Sequence, residues 1–255
     1  MKFTFLGTGT SQGIPVISCT CKVCTSTNEK DKRTRTSLMV QDNNTTIVID
    51  SGPDFRQQML RENVQDLDAI VFTHGHKDHV AGLDDIRPYN YIKQKEIQVY
   101  ASTEVQNVLK REFSYIFADE KYPGVPQIRL HTINEKNNFN IHQIEFMPIE
   151  VIHKNMKVLG FRIHDFTYIT DANFIAEDEL KKCIGTKILV LNALRHEKHY
   201  SHFSLSEAIA IANKIGAEQT YFTHISHHLG LYDDVQATLP SNMHLAYDGL
   251  SIEIA

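Results

Sequence analysis

Ala69-Ile70-Val71-Phe72-Thr73-His74-Gly75-His76-Lys77-Asp78-His79 decides how the rest of the chain is read. It opens as a short apolar run rich in Ile, Val and Phe, the composition of a buried strand. It then sets His74, His76, Asp78 and His79 within six residues. A strand that ends in such a cluster holds imidazoles and a carboxylate at one point in space. That mixture suits zinc, manganese or iron. The alternative is a solvated His-rich turn, and four ligand-type side chains at one strand end weigh against it.

The 255 residues are 42% apolar, enough for a sizeable core and near the upper size of one domain. A single domain over residues 1–255 is therefore expected. The net charge of −5, with no long basic run, does not suggest a nucleic-acid groove. Met1-Lys2-Phe3 leads into a strand and not into a signal peptide. No apolar run approaches the ~20 residues of a membrane helix. Four cysteines, three of them crowded together, lack the pattern of a disulfide framework. A soluble, cytoplasmic protein without membrane contact is expected.

Lys2 to Leu6 reads as the first strand, followed by the turn Gly7-Thr8-Gly9-Thr10-Ser11-Gln12-Gly13. The turn lacks the GK[ST] ending of a phosphate loop, and Pro15 follows where a helix would have to start. Cys19-Thr20-Cys21-Lys22-Val23-Cys24 comes next. Three thiols at this spacing can close on one soft metal ion, as in a structural Cys₃His zinc site. A redox pair of Cys21 and Cys24 would leave the third thiol unexplained, and free surface thiols are the plainer alternative. Cys183 ends a helix expected from Glu177 to Lys182 and reads as core.

Thr36 to Val40 and Thr45 to Asp50 read as paired strands, and Asp50 at the second strand's end is either an outer partner of a ligand histidine or an ordinary turn residue. Pro53 can start a helix reaching Glu62. Val80 to Tyr91 shows no regular pattern. Glu96 to Tyr100 reads as a strand and Ser102 to Glu112 as a helix, with Thr103 and Gln106 as its capping box. Phe113 to Gly124 reads as an aromatic loop. Strands are expected at Gln127 to Ile133, Phe139 to Ile141 and from Ile144 onward.

Three later residues repeat the pattern of the first cluster. His153, Asp171 and His224 each follow an apolar, β-rich run. Ser204-Leu205-Ser206-Glu207 is a capping box, and Ala208, Ile211, Ala212 and Ile215 recur at helical spacing before Gly216. His202 lies two residues before that cap, where an anion is also attracted. His196 and His199 lack such placement and read as solvated. His227 lies three residues beyond His224.

His74, His76, Asp78 and His79 match the H-x-H-x-D-H motif position for position, so the chain resembles the metallo-β-lactamase fold superfamily. The C-x-C-x₂-C loop, His202 before a helix and His227 after the last ligand resemble its PhnP-like phosphodiesterase branch. The resemblance runs from Gly7 to His227. It implies an α/β fold, a four-layer αβ/βα sandwich of two mixed sheets with the metals at one edge. It assigns His74, His76 and His153 to one divalent ion and Asp78, His79 and His224 to another, with Asp171 bridging. It gives Cys19, Cys21, Cys24 and His227 a structural zinc, His228 being the adjacent alternative. Active-site zinc, manganese and iron all remain compatible.

The expected activity is that of a dinuclear metal-dependent phosphodiesterase, a metallo-hydrolase acting through a metal-bridging hydroxide. A protonated His202 would be its catalytic residue. The substrate would be a small molecule such as a cyclic nucleotide or a sugar cyclic phosphate. Relatives of this kind are often dimers, which makes a homodimer compatible with the resemblance. Two alternatives share features with the chain. A tRNA 3′-processing nuclease has the same cluster but carries a long inserted arm, whereas 17 residues separate His153 from Asp171 here. A PqqB-like cofactor-biosynthesis protein shares the cysteine loop but has an altered ligand set.

Overall fold

Strict alternation along the strands decides what each side of a sheet touches. In Lys2–Gly7, Phe3 and Phe5 join one apolar cluster and Leu6 joins another. Leu38 and Val40 oppose Met39 in the same way, and Ile47 and Ile49 oppose Val48. The shared cluster is the space between two sheets, crossed by Phe3 stacked on Phe166 at 3.8 Å. The computed structural model describes residues 1–254.

The first sheet runs in the order Ser251–Glu253, Lys2–Gly7, Ser37–Asp42, Thr45–Ile49, Ala69–Val71, Ile97–Ala101, Ile128–Thr132. The second runs Phe174–Ile175, Ile144–His153, Met156–Ile163, Phe166–Ile169, Ile188–Asn192, Gln219–Thr223, Met243–Leu245, and Phe139–Ile141 also pairs with its second strand. Both sheets are mixed. Pairing is parallel from Thr45–Ile49 onward in the first and from Phe166–Ile169 onward in the second.

Helices cover the two outer faces. Phe55–Arg61 and Thr103–Glu112 place Phe55, Met59, Val105 and Leu109 against the first sheet. Glu177–Cys183 and Leu205–Ile215 place Leu180, Cys183, Leu205, Ala208 and Ala212 against the second. The result is the expected αβ/βα sandwich. Cys183 is fully buried in that outer core, and burial pushes its thiol up to about 12.

The capping box before Leu205–Ile215 is present: Glu207 N–H donates to Ser204 Oγ and Ser204 N–H donates to Glu207 Oε2. Such a cap is worth about 1 kcal/mol, and Gly216 ends the helix in the left-handed region at φ 73°. Three local expectations need correction. The cap of the earlier helix is Ser102, whose Oγ accepts from Val105 N, while Gln106 turns inward to Ala101 O and Thr132. The helix expected from Pro53 starts at Phe55. Residues 80–91 are ordered as Lys77–Val80, Leu83–Ile86 and Arg87–Lys93, short turns whose periodicity is too brief to read. Among the described residues no helix is long and apolar enough to cross a membrane.

Candidate metal centre

Strand ends build the site. Asp50 follows Thr45–Ile49, His74 follows Ala69–Val71, Asp171 follows Phe166–Ile169 and His224 follows Gln219–Thr223. His153 closes its own strand. Asp50, Asp171 and His224 turn there with φ of 65°, 53° and 56°. Asp and His tolerate the left-handed region better than most residues. Such a conformation still costs on the order of 1–3 kcal/mol and persists where the surroundings over-determine it.

Glycine lets the Lys77–Val80 turn sit against the loop after Asp50. A Cβ on Gly52 would lie 2.1 Å from the Asp78 carbonyl oxygen, and one on Gly82 would lie 2.1 Å from the Gly52 carbonyl oxygen. Asp78 and His79 are thereby held over Asp50.

Hydrogen bonds then fix which ring nitrogen of each histidine is free. His79 Nδ1–H donates to Asp50 Oδ2 at 2.7 Å. Thr73 Oγ1 donates to the same oxygen at 2.8 Å and accepts from His74 Nδ1 at 3.0 Å. His153 Nδ1–H donates to the Ser201 carbonyl at 2.7 Å. Each acceptor holds the proton on Nδ1 and leaves Nε2 as a lone-pair donor. His74 Nε2, His79 Nε2 and both His224 nitrogens are buried without a hydrogen-bond partner. A buried unpaired nitrogen costs about 1–3 kcal/mol, and cations bound among them would satisfy the three Nε2 atoms.

Asp171 stands at the centre. Its Oδ1 lies 3.3 Å from His79 Nε2 and 3.2 Å from His224 Nε2, while its Oδ2 lies 3.7 Å from His74 Nε2. Asp78 Oδ2 lies 3.3 Å from His79 Nε2 and 3.7 Å from His224 Nε2. Ligand atoms therefore converge in two groups, Asp78-His79-Asp171-His224 and His74-His76-Asp171. His153 departs from the expected grouping and converges with Asp171 and His202. Its bond to Ser201 ties the ring to the loop that carries His202. Its ring still lies 5.1 Å from that of His76. Asp84, close in sequence, is instead committed to Arg87 and Tyr115.

Charge supports a cation here. Among the described residues, the only charged partners of Asp50, Asp78 and Asp171 are histidines. Burial opposes ionisation of Asp171, but His224 and His79 outweigh it and hold the carboxyl well below its usual range. Burial would lower His79, and the carboxylates of Asp171, Asp78 and Asp50 raise it well above its usual value, so that without a metal ion a proton on Nε2 takes the place of the cation. The donor set, the unpaired nitrogens and the surplus of carboxylates all fit divalent ions.

A second convergence lies in the cysteine loop. Sγ of Cys19, Cys21 and Cys24 lie 3.3, 3.4 and 3.4 Å from His227 Nδ1. Tetrahedral zinc with its usual bond lengths would separate S and N by about 3.5 Å. His227, and not His228, completes the group. Cys24 N–H donates to Cys21 Sγ and draws that thiol down to about 6, whereas burial pushes Cys24 up to about 11. Three thiols this close carry their full charge only beside a cation.

A cleft of about 350 Å³ opens on the cluster, with His76, Asp78, His153, Asp171, His202 and His224 in its walls. Another groove of about 720 Å³ is lined by His74 and His76 but by none of Asp78, Asp171 or His224, so the smaller cleft is the one facing the cluster. His202 is 8% exposed, with its ring 4.5 Å from His153 and 4.7 Å from His224. Burial, then His224, push it down to about 2. Burial therefore works against the protonated His202 that the resemblance implies. Sequence reading missed Thr73, the Ser201 carbonyl and Asn192, whose side chain pairs both backbone groups of Ala172 beside Asp171. Backbone acceptors carry no sequence signal, and Thr73 and Asn192 read only as strand-end polar residues.

A family model described as the beta-lactamase superfamily domain matches residues 45–225. The crystal structure of a new diphosphatase from the PhnP family superposes with a TM-score of 0.93 and 40% identity, covering 100% of this chain and 98% of that one. Zn(2+)-bound PqqB from Methylobacterium extorquens superposes with a TM-score of 0.79 at 19% identity over 100% of both chains, a likeness of fold. An octanoyltransferase of Porphyromonas gingivalis is 37% identical over 252 residues, which is 98% of this chain and 51% of that protein. The chain thus spans about half the length of that relative.

Proposed function

This chain belongs to the beta-lactamase superfamily, in the PhnP-like branch of the metallo-β-lactamase fold, and on that premise we propose that it is a dinuclear metal-dependent phosphodiesterase. The coarser property, a metal-binding hydrolase, comes with the family. The finer reading rests mainly on Asp171. A carboxylate whose two oxygens address separate groups of unpaired ring nitrogens suits two neighbouring ions better than one.

His74, His76 and His153 would hold one ion, Asp78, His79 and His224 the other, and Asp171 both. When bound, divalent ions supply a water that ionises near neutral pH and positive charge for a phosphoryl group. Zinc, manganese and iron all suit the donor set. The chain's own residues do the rest. Asp50, Thr73 and the Ser201 carbonyl keep three imidazoles in one tautomer. His202, neutral at rest, offers a ring N–H to a phosphoryl oxygen in the cleft. An anion beside it raises its proton affinity, which suits it to proton transfer to the leaving alkoxide. Cys19, Cys21, Cys24 and His227 would hold a structural zinc, because four protein ligands leave no open position.

Phosphodiester cleavage is favoured by the similarity to a PhnP-family diphosphatase, and His202 sets a ring in the cleft that could serve a phosphoryl oxygen. The interval between His153 and Asp171 is filled by the strands Met156–Ile163 and Phe166–Ile169, leaving no tRNA-grasping arm at that point. Bis-p-nitrophenyl phosphate, a 2′,3′-cyclic nucleotide, a tRNA precursor and a thioester form the discriminating panel. Turnover of the first two is expected, and a clear preference for the thioester would overturn the reading.

A further inference from the structure

The reaction at the metal centre leaves unused the segment Arg195-His196-Glu197-Lys198-His199-Tyr200, of which Arg195, His199 and Tyr200 line the cleft wall. Four of these six side chains are Arg, Lys or His, and one is acidic, in a chain of net charge −5. Both roots of the segment are fixed. Leu194 N–H donates to the Phe203 carbonyl, Leu205 N–H to the Arg195 carbonyl, and Ser226 N–H to the Leu194 carbonyl. The far end is tied to the site itself, since the Ser201 carbonyl accepts from His153 and Ser201 Oγ lies 3.2 Å from His199 Nδ1. The wall is therefore held in register with the reacting centre.

Aromatic rings lead outward along it. His202 stacks on His224 at 4.7 Å, His199 follows His202 at 5.4 Å, and Tyr200 follows His199 at 4.4 Å. Tyr200 is 70% exposed. Of the exposed large apolar side chains among the described residues, it alone lines the cleft. Tyr91, Ile92 and Tyr122 are equally exposed but lie away from it. Lys154 Nζ lies over the Tyr200 ring at 5.3 Å, a cation–π contact that a stacking base would share or displace. Arg195 lines the same cleft, and its guanidinium bonds only the carbonyls of Glu197 and Lys198. Among the described residues no carboxylate neutralises it.

An exposed aromatic ring and an uncompensated guanidinium that line one cleft, both opening on the proposed phosphoryl-binding centre, match the two parts of a nucleotide. Base–aromatic stacking is strong and tolerant of sequence, and guanidinium is the preferred partner of phosphate. We propose that Tyr200 and Arg195 form the specificity subsite of the cleft, and that the substrate is a nucleoside phosphodiester whose base stacks on Tyr200 while Arg195 draws in its charge. The proposal selects, within the phosphodiesterase reading on which it rests, a nucleoside over a bare sugar.

Two measurements separate the two claims. The first compares kcat/KM for thymidine 5′-(p-nitrophenyl phosphate) and methyl p-nitrophenyl phosphate, which share the reacting phosphorus and the leaving group. The wild-type enzyme should prefer the nucleoside ester by about tenfold or more, the scale of one base stack. Tyr200→Ala should erase most of that ratio and Tyr200→Phe should keep it. The second measures binding of thymidine 5′-monophosphate and ribose 5-phosphate to the metal-loaded protein by calorimetry and needs no turnover. Tyr200→Ala should weaken the nucleotide selectively, whereas Arg195→Gln should weaken both ligands and reduce the salt dependence. Equal binding of the two ligands by wild type, or an equal loss for both in Tyr200→Ala, would overturn the subsite. Absence of turnover with both esters, alongside selective nucleotide binding, would overturn the phosphodiesterase reading and leave the subsite standing.

Discussion

The loop after the strand Gln219–Thr223 serves two ligand clusters of opposite design. His224 points to the carboxylate and imidazole group, and His227, three residues on, points to the three thiols. The first cluster draws its residues from four strand ends, shares one carboxylate between two groups and keeps a cleft in front of it. The second takes its thiols from a single six-residue loop and surrounds one point from four sides. Hard, shared and open ligation leaves room for water and substrate. Soft, closed ligation leaves none and can only tie Cys19–Cys24 to the His227 loop, about 200 residues away. Chemistry and stability should therefore respond to different substitutions.

The largest effect should come from Asp171→Ala, which removes the one ligand common to both active-site groups. Turnover of bis-p-nitrophenyl phosphate should fall well beyond the roughly 10²-fold that follows loss of an outer partner. Elemental analysis should show the active-site ions lost and the thiol-bound ion kept. Retention of every ion would break the proposed division. His202→Ala should come next, with kcat down by about 10² and with metal content and melting temperature nearly unchanged. A loss of bound metal in that variant would make His202 a ligand, as its convergence with His153 and Asp171 allows.

Asp50→Asn sharpens the comparison from outside the ligand set. The amide offers an N–H where His79 Nδ1 and Thr73 need an acceptor, so the His79 tautomer is no longer fixed. Metal affinity or activity should drop by about 10–100-fold, and titration of the apo-protein with manganese would read it. The smallest effect on chemistry should be that of Cys21→Ser. Melting temperature and total metal should fall, while turnover per folded molecule stays close to wild type. A variant that melts normally but has lost its turnover would reverse the roles of the two clusters.

How much of this was legible in the sequence follows the range of each interaction. His74 to His79 and Cys19 to Cys24 are local, so the motifs themselves announce both clusters. His153, Asp171 and His224 were visible because each follows an apolar strand. The partner of the thiols was narrowed to His227 or His228, and only the geometry at Nδ1 separates them. Asp50 looked like either a turn residue or an outer partner, because its bonds to Thr73 and His79 cross two strands. The turns within 80–91 were not legible because each is too brief to show a period, and the close approach of Gly52, Asp78 and Gly82 is a backbone contact that no periodicity reports. The burial of His202 was not legible, since it depends on packing against the rings of His153 and His224.

The central claim is that the open cluster performs metal-dependent cleavage of phosphodiesters. Its most direct test is hydrolysis of bis-p-nitrophenyl phosphate and of p-nitrophenyl phosphate by the purified chain. Each should be followed before exhaustive chelation, after it, and after manganese or zinc is restored. The diester should be turned over, lose its turnover with the metal and regain it on add-back, while the monoester stays largely untouched. Diesterase activity that survives chelation, or a monoester cleaved as readily as the diester, would contradict the claim.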